Sequence, residues 1–346
     1  MIRYIIRRLI GVAAILVVIS IITFGIFAVF PANPALKACG KSCTEERLAE
    51  IEEKLGLDKP VFPVGWEGWH PTFHLSPDDS QYGAFAKGVV VGREYYGGGS
   101  TDSCGRPCLG YSFSNAQPVW ETIKSRFPVT LSIAIGAAVI WLVVGVSIGI
   151  ISALRKGTAV DRSAMGLALA GVSLPSYFTA LLALYFVCYK FRLMDYPGYI
   201  PFTDSPLEWA KNLILPWLTL AFLFAALYAR LTRANMLETM GEDYIRTARA
   251  KGLPESKVIA KHGLRAALTP LVTIFGLDLG GLMGGAILTE SVYGMPGVGK
   301  LALEAITAAD LPTILGVTLF AAFFIIMANL VVDVLYAFVD PKVQYS

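Results

Sequence analysis

The sequence predicts an all-α integral membrane protein with six transmembrane helices and an irregular, disulfide-bearing extracytoplasmic insertion between helices 1 and 2. Three observations predict this fold class. Hydrophobic residues make up 55% of the 346 residues and charged residues only 16%. Six apolar runs are long enough to cross the hydrocarbon layer, which takes about 20 residues of helix. Four of the five cysteines lie in the long polar segment after the first run.

The first apolar run, residues 9–30, follows Arg3, Arg7 and Arg8. Basic residues flank the cytoplasmic ends of spans, so this run is expected to start in the cytoplasm. It is too long for a signal peptide, and no small-residue cleavage site follows it. The other predicted spans are residues 129–154, 164–189, 213–231, 268–292 and 313–339. Segments that this arrangement places inside carry a net charge of +9 and those outside −4, which predicts that both termini are cytoplasmic.

The pattern divides the chain into three parts. Residues 1–30 form the cytoplasmic N-terminus and the first span, and residues 31–126 form an extracytoplasmic cap. Residues 127–346 hold spans two to six and a cytoplasmic loop at residues 232–267. Within the cap, residues 44–60 predict an amphipathic helix. The rest is expected to be turns and irregular pieces, packed around the aromatic residues Trp66, Trp69, Phe73, Tyr82 and Phe85.

The cap cysteines Cys39, Cys43, Cys104 and Cys108 form two pairs, each separated by three residues. Four thiols in an oxidising space favour two disulfides. The spacing leaves open whether each pair closes locally or the pairs cross-link and enclose a loop of about 60 residues. A zinc site made of all four thiolates is a further alternative. Cys188 falls inside the third predicted span and is expected to be a small buried side chain.

A long basic run, residues 240–271, lies between the fourth and fifth predicted spans. It predicts a helix from Glu242 to Lys251, with acids in the first turn and bases in the last, as the helix dipole prefers. Gly252 is expected to end that helix, and Pro254 to begin a second one. In a soluble protein such a basic pair of helices would indicate DNA binding. Here the flanking spans hold it at a membrane, so no nucleic acid partner is expected.

The run EDYIRTARAKGL followed by HGLRAALTP resembles the loop that couples membrane subunits of ABC importers to their ATPases, in the form typical of the dipeptide/oligopeptide permease branch. The general pattern of that loop is Glu-Ala-Ala, three residues, Gly, nine residues, then Ile-x-Leu-Pro. Ala248, Gly252 and Leu264 match it, and the other fixed positions differ. TESVYGMPGVGKLALEAI resembles the same family. The resemblance covers roughly residues 1–30, 110–160 and 230–346.

The resemblance implies a permease subunit of an ABC importer for di- or oligopeptides in a bacterial plasma membrane. It implies four kinds of partner: a second homologous permease, two ABC ATPase subunits, an extracytoplasmic peptide-binding protein and membrane lipid. ATP and Mg would bind the ATPases, so this chain would bind no cofactor and have no ATPase site of its own. The residues implied in ATPase coupling are Glu242, Tyr244, Ile245, Arg246, Thr247, Ala248, Arg249, Gly252 and Leu253.

Within that set, the resemblance implies separate roles. Tyr244, Ile245, Ala248 and Leu253 would form the face that contacts the ATPase. Arg246 and Arg249 would be polar anchors, and Gly252 would form the turn.

Asp278, Glu290 and Asp333 are acids within or beside the predicted spans. Acids at that depth normally face a cavity or a partner, because an unpaired charge is costly there. We expect them, with Tyr293, to line the translocation path, and Asp278 and Glu290 to attract the amino terminus of a peptide. The alternative is hydrogen bonding between helices or, for Glu290, exposure at the outer rim.

Residues 294–301, GMPGVGKL, resemble a phosphate-binding loop, but Leu301 stands where that motif needs Ser or Thr for magnesium. No nucleotide site is therefore expected there. No catalytic triad or metal site is expected elsewhere in the chain either. Other functions stay open. Asp278 and Asp333 could form a proton relay in an ion-gradient-driven secondary transporter or channel. An ABC permease for nickel or another solute, and a membrane scaffold that transports nothing, are further alternatives.

Overall fold

The computed structural model describes residues 2–29, 35, 39, 43–55, 57–67, 70–73, 77–97, 100–112 and 114–339. Helices α1 to α12 are, in order, Ile2–Val29, Glu45–Leu55, Gln81–Val91, Val119–Leu154, Ala159–Ser173, Ser176–Ala183, Pro206–Thr239, Asp243–Ala250, Leu264–Met283, Ile287–Val292, Val298–Thr307 and Leu311–Val339. Strands β1 to β6 are Val64–Glu67, His70–Phe73, Arg93–Gly97, Ser100–Cys104, Tyr111–Ser112 and Gln117–Pro118.

Five helices are long and apolar enough to cross a membrane, and a sixth span results if one bent helix pair is counted as a single crossing. The five are Ile6–Ile26, Val119–Leu154, Pro206–Thr239, Glu255–Met283 and Leu311–Val334. This arrangement confirms the predicted class of an all-α, multi-pass membrane protein. The contacts within the chain form two compact units: Met1–Pro128 with Leu301–Phe324, and Val129–Lys300 with Ile325–Ser346.

The third predicted span, residues 164–189, is wrong as a single straight helix. It is a bent pair, Ala159–Ser173 and Ser176–Lys190, with an angle of 101° between its halves. The break lies at Leu174 and Pro175. A proline disfavours helical backbone in the residue before it, and Leu174 accordingly has an extended ψ of 130°. Past α6 the helix continues with π-helical geometry from Leu184 to Lys190.

The fifth predicted span, residues 268–292, is wrong at both ends. The helix starts earlier, because Glu255–Lys257 and the π-helical turn Val258–Gly263 run directly into α9. It ends at Met283, and α10 follows after a short break. Gly285 in that break has φ +127°, and a Cβ there would lie 2.4 Å from the backbone of Gly299. Only glycine fits so close an approach.

The fourth predicted span, residues 213–231, lies within the longer helix α7. Ser205 caps α7 by accepting a hydrogen bond from the Glu208 backbone amide, and Pro206 occupies its first turn. The helix continues past the apolar run to Thr239. Hydropathy detects only the part of a helix that lies in lipid, so both polar ends of α7 were outside the prediction.

The cap is more regular than predicted. Helix α2 lies within predicted residues 44–60, and α3 and three antiparallel two-stranded hairpins follow it in place of irregular chain. Phe24 of α1 packs edge-on against Tyr82, with ring centroids 5.6 Å apart, and Phe85 lies beside both. Tyr82 and Phe85 therefore pack together as expected. Trp69 and the side chains of Trp66 and Phe73 lie outside the described part.

The cap disulfides both close locally: Cys39 with Cys43, and Cys104 with Cys108. The cross-linked pairing is therefore wrong, and so is the four-thiolate zinc site, because all four sulfurs are used in disulfides. Cys188 is free and only partly buried, although a buried side chain was expected. Next to the second bridge, Tyr111 donates a hydrogen bond of 2.5 Å to Asp102. Burial and this carboxylate raise the pKa of Tyr111 to about 12, so it stays a neutral donor.

The core of the second unit lies where α4 and α7 cross. Trp141 is fully buried and stacks on Phe224, with ring centroids 4.6 Å apart. The two helices approach closely at Gly149, where a Cβ would lie 2.5 Å from the Cβ of Thr232. Small residues permit such contacts between membrane helices. This close packing fixes α4 against the half of α7 that leads into the basic loop.

Candidate functional site

The predicted loop helix is present as α8, one residue shorter at each end than the predicted 242–251. Glu242 occupies the position before its first turn, and the backbone amide of Gly252 donates to the carbonyl of Arg249 at 2.9 Å. Gly252 has φ +74°, in the left-handed region of the backbone that residues other than Gly and Asn rarely adopt. The sequence-predicted turn residue therefore lies where the chain reverses after α8.

Two of the predicted contact residues point into the chain itself. Ile245 is fully buried and Ala248 is nearly so; both pack against Val258, with Met240 and Leu253 beside them. These side chains hold α8 on the segment that leads into α9. The predicted coupling residues that α8 and its flanks expose are Glu242, Tyr244, Arg246, Thr247, Arg249 and Gly252.

Arg249 forms an ion pair across the turn that follows α8. Its Nε and Nη2 atoms donate to the two carboxylate oxygens of Glu255, at 3.1 and 2.7 Å. These hydrogen bonds raise the pKa of Arg249. A bidentate pair fixes the orientation of both side chains more strictly than a single contact. The arrangement therefore sets the angle between α8 and the following helix, while both side chains remain largely exposed.

Glu290 lies in a closed polar pocket. It is fully buried and accepts hydrogen bonds from Thr130 Oγ1 at 2.8 Å and from the backbone amides of Ala286 and Lys300 at 3.1 and 2.9 Å. Exposure at the outer rim is therefore wrong for Glu290, and it offers no surface to a solute in this structure. The contacts are those of the alternative reading, hydrogen bonding between segments.

The resemblance of residues 294–301 to a phosphate-binding loop has a structural explanation. Glu290 places its carboxylate against the first turn of α11, where backbone amides point outward and favour an anion. A Cβ on Gly297 would lie 2.3 Å from the Glu290 carboxyl carbon, so the loop needs glycine to wrap around that group. The chain thus fills its own anion-binding loop with a side chain.

Asp278 lies in a separate network from Glu290. It is half-buried on α9 and accepts a hydrogen bond from Tyr228 at 2.8 Å. Asp333 is also half-buried, on α12, whereas Tyr293 is fully buried. Of the four residues predicted to line the path, only Asp278 and Asp333 therefore present any surface.

A third polar cluster is one that sequence patterns do not single out. Asp161 on α5 is nearly fully buried and accepts two hydrogen bonds from Arg233 on α7, at 2.6 and 2.8 Å. Ser152 and the backbone amide of Gly157 donate to the same carboxylate, at 2.5 and 2.8 Å. The residues of this pair lie 72 positions apart in the chain. The only signal was an acid close to the end of an apolar run.

The described residues contain no group of three or more His, Cys, Asp or Glu side chains placed to hold a metal. His70 and His74 have the sequence spacing of a helical metal-binding pair, but His70 belongs to strand β2 and His74 lies outside the described part. The polar features described above are the exposed face of helix α8, the Asp278–Tyr228 pair, and the buried carboxylates of Glu290 and Asp161.

The sequence of this chain matches known proteins over nearly its whole length. Residues 145–345 match the family described as "Binding-protein-dependent transport system inner membrane component", and residues 1–78 and 72–134 match its N-terminal part. The chain is 35% identical to a protein of Brucella abortus strain 2308 that is named as a peptide transport system permease, over 99% of both chains. It is 33% identical to the dipeptide transport system permease protein DppB of Escherichia coli K12, over 100% of both chains.

Among solved structures, the inward-facing MetNI methionine ABC transporter is similar, with 16% sequence identity and a TM-score of 0.49. That similarity covers 64% of this chain and 97% of the other. The family match spans more than half of the 346 residues, and the two relatives match over nearly their full lengths. The chain therefore belongs to the family of inner membrane components of binding-protein-dependent transport systems.

Proposed function

We propose that this chain is a transmembrane permease subunit of an ATP-driven ABC importer for di- or oligopeptides delivered by an extracytoplasmic binding protein. The observation that carries the proposal is the full-length similarity to a dipeptide transport permease, at 33% identity. Helix α8 supports it, because an exposed basic helix on a loop between spans offers a surface on which an ATPase subunit can dock.

The proposed complex contains a second homologous permease, two ABC ATPase subunits and a peptide-binding protein. ATP and Mg bind to the ATPases, and this chain has no ATPase site or cofactor of its own. The packing of residues 294–301 around Glu290 supports this division of roles, because a carboxylate takes the place of a phosphate.

The proposed orientation places both termini and α8 in the cytoplasm of a bacterial cell, and residues 31–126 outside the plasma membrane. The positive charge of residues 230–265 supports this orientation. The two disulfides of the cap support it as well, since disulfides persist in oxidising compartments.

Coupling to ATP depends, in this proposal, on two layers of α8. Tyr244, Arg246, Thr247 and Arg249 form the exposed layer that contacts the ATPase. Ile245 and Ala248 form the inner layer, which transfers movement of α8 to Val258 and the start of the fifth span.

Asp278 is the proposed contact for the amino terminus of a peptide in the path. It is half-buried in a span, and its hydrogen bond to Tyr228 engages one carboxylate oxygen. Asp333 presents a second half-buried acid on α12. Glu290 and Tyr293 are buried, so we assign them a role in holding the helices in place and no contact with solute.

The test is purification of the tagged chain from its host in mild detergent, followed by reconstitution and uptake measurements. The proposal expects two ATPase subunits and a second permease to co-purify, and uptake of a labelled dipeptide that requires ATP and the binding protein. Uptake driven by an ion gradient without ATP would indicate a secondary transporter. ATP-dependent uptake of nickel but of no peptide would keep the importer and overturn its substrate.

A further inference from the structure

The carboxylate of Asp161 joins the ends of three helices. It accepts from both Nε and Nη2 of Arg233 near the end of α7, from Ser152 near the end of α4, and from Gly157 in the turn between α4 and α5. Asp161 itself lies in the first turn of α5 and is only 3% exposed. The donors belong to α4, to the turn between α4 and α5, and to α7. One side chain therefore holds these three segments together.

This cluster lies next to α8 along the chain. Arg233 stands six residues before Thr239, where α7 ends, and α8 begins at Asp243. Six residues of helix rise by roughly 9 Å. A displacement of α8 therefore reaches Arg233 through the turn at residues 240–242 and less than two turns of helix.

The packing around the cluster leaves little room for one helix to slide past another. A Cβ on Gly149 of α4 would lie 2.6 Å from the carbonyl oxygen of Ala229 on α7. On α5, a Cβ on Gly171 would lie 2.9 Å from the Cβ of Ala226. Interiors packed this closely transmit displacement instead of absorbing it. Helices α4, α5 and α7 are therefore expected to move together.

The chemistry of the cluster favours a role in geometry over a role in stability. A buried ion pair can often be replaced by apolar residues without loss of stability, because removing both charges from water is costly. A bidentate arginine–carboxylate pair, in contrast, fixes one mutual orientation. Such a pair is suited to holding the α4–α5 turn at a set angle to α7.

We propose that Asp161 and Arg233 are positioning residues for transport, whose ion pair makes the α4–α5 turn follow the movement of α8 and α7. The inference rests on the proposed function and deepens it. It identifies the connection through which spans two and three respond to the ATPase.

The test uses the complete complex reconstituted in liposomes, with peptide uptake and ATP hydrolysis measured on the same sample. Arg233→Gln and Asp161→Asn should each lower the number of peptides transported per ATP at least tenfold, while ATP hydrolysis stays within about twofold. The double variant should be no worse than the worse single variant, because residues that act as a unit are not additive. The matched control is Arg230→Gln, an exposed arginine three residues earlier on α7, which should leave the ratio unchanged.

An unchanged ratio in Arg233→Gln, in a complex whose unsubstituted form shows ATP-dependent uptake, would overturn this inference alone. Failure of the unsubstituted complex to take up peptide with ATP would overturn it together with the proposed function.

A second measurement decides the question if the variants do not assemble. Spin labels are attached to the cysteines of Lys156→Cys and Glu238→Cys, because both positions are exposed. The labelled chain also carries Cys188→Ala, which removes the free thiol. The distance between them should be the same with and without ATP in the otherwise unsubstituted complex. A distance that changes with nucleotide would show that the two segments move separately, and would overturn the inference.

Discussion

Three acidic side chains of this chain have different surroundings. Glu290 is fully buried with three hydrogen-bond donors, Asp161 is buried in an ion pair, and Asp278 is half-buried with one donor. A carboxylate whose two oxygens both accept hydrogen bonds inside the chain stabilises its own segment, whereas one with spare acceptor capacity and exposed surface is able to bind a cation. At the residue scale, this difference is the reason that the proposed function gives substrate contact to Asp278 and a supporting role to Glu290.

Replacing Glu290 with glutamine should destabilise the protein. Whichever way the amide is turned, its NH2 group faces a backbone amide, of Ala286 or of Lys300, that also donates. An unsatisfied buried polar group costs about 1–3 kcal/mol. The midpoint of thermal unfolding of the purified protein should fall. Glu304→Gln is the matched control, because its ion pair with Arg126 is half-exposed and worth about 0–1 kcal/mol; equal shifts would contradict the prediction.

Asp278→Asn should raise the KM for peptide uptake without unfolding the chain. The amide oxygen still accepts from Tyr228, but the charge that attracts an ammonium group is lost. Loss of an ion pair worth about 1 kcal/mol should raise the KM for peptide uptake about fivefold. Asp195→Asn, at an exposed acid, serves as the comparison. A KM that stays at the unsubstituted value would remove Asp278 from the path.

At the scale of single elements, α8 combines an inner face fixed to its own chain with an exposed face. Ile245 and Ala248 hold it against Val258, and Arg249 with Glu255 sets the turn that follows. Its position is therefore determined before any partner binds. A helix that is already positioned avoids part of the ordering cost of association.

Gly252 permits a sharp test of that turn. Nothing lies within 4 Å of a Cβ placed there, and φ is +74°. Gly252→Val should lower ATP-coupled uptake, because a β-branched residue at positive φ is strained by about 1–3 kcal/mol. Gly252→Asn should retain most activity, since Asn adopts this backbone region far more readily. If both variants lose uptake equally, the surface at Gly252 is in contact with a partner, and backbone conformation is not the cause.

Breaks within elements are the part of the fold that hydropathy does not predict. The apolar run of residues 164–189 is continuous, yet Pro175 divides it into two helices at 101°. The run of residues 268–292 is likewise interrupted, because Gly285 lies against the backbone of Gly299. Apolar composition reports where a chain can enter lipid. It does not report where the backbone must turn to meet a residue that is distant in sequence.

At the scale of the whole molecule, composition and charge predicted the class, the number of apolar runs and the position of the basic loop. They did not predict the buried partners. Thr130 and Glu290 are separated by 160 residues, and Asp161 and Arg233 by 72. The sequence alone therefore left Glu290 as a residue of the path, although both of its carboxylate oxygens accept hydrogen bonds inside the chain.

The charge asymmetry makes a prediction about orientation. In intact cells, an impermeant thiol reagent should label Glu94→Cys in strand β3, but should label Thr247→Cys in α8 only after the membrane is opened. Both positions are exposed, and the test needs a Cys188→Ala background because Cys188 is a free thiol. Labelling of Thr247→Cys in intact cells would reverse the proposed topology.

The two disulfides of the cap each join cysteines only four positions apart. In the chain-entropy description, a bridge restricts the unfolded chain more when it encloses a longer loop. These bridges enclose short loops and add little to the order of the cap. Strand pairing and the aromatic packing on α1 therefore stabilise most of its structure. The chain should therefore be producible in hosts that lack an oxidative folding pathway, with the cap folded while its thiols remain reduced.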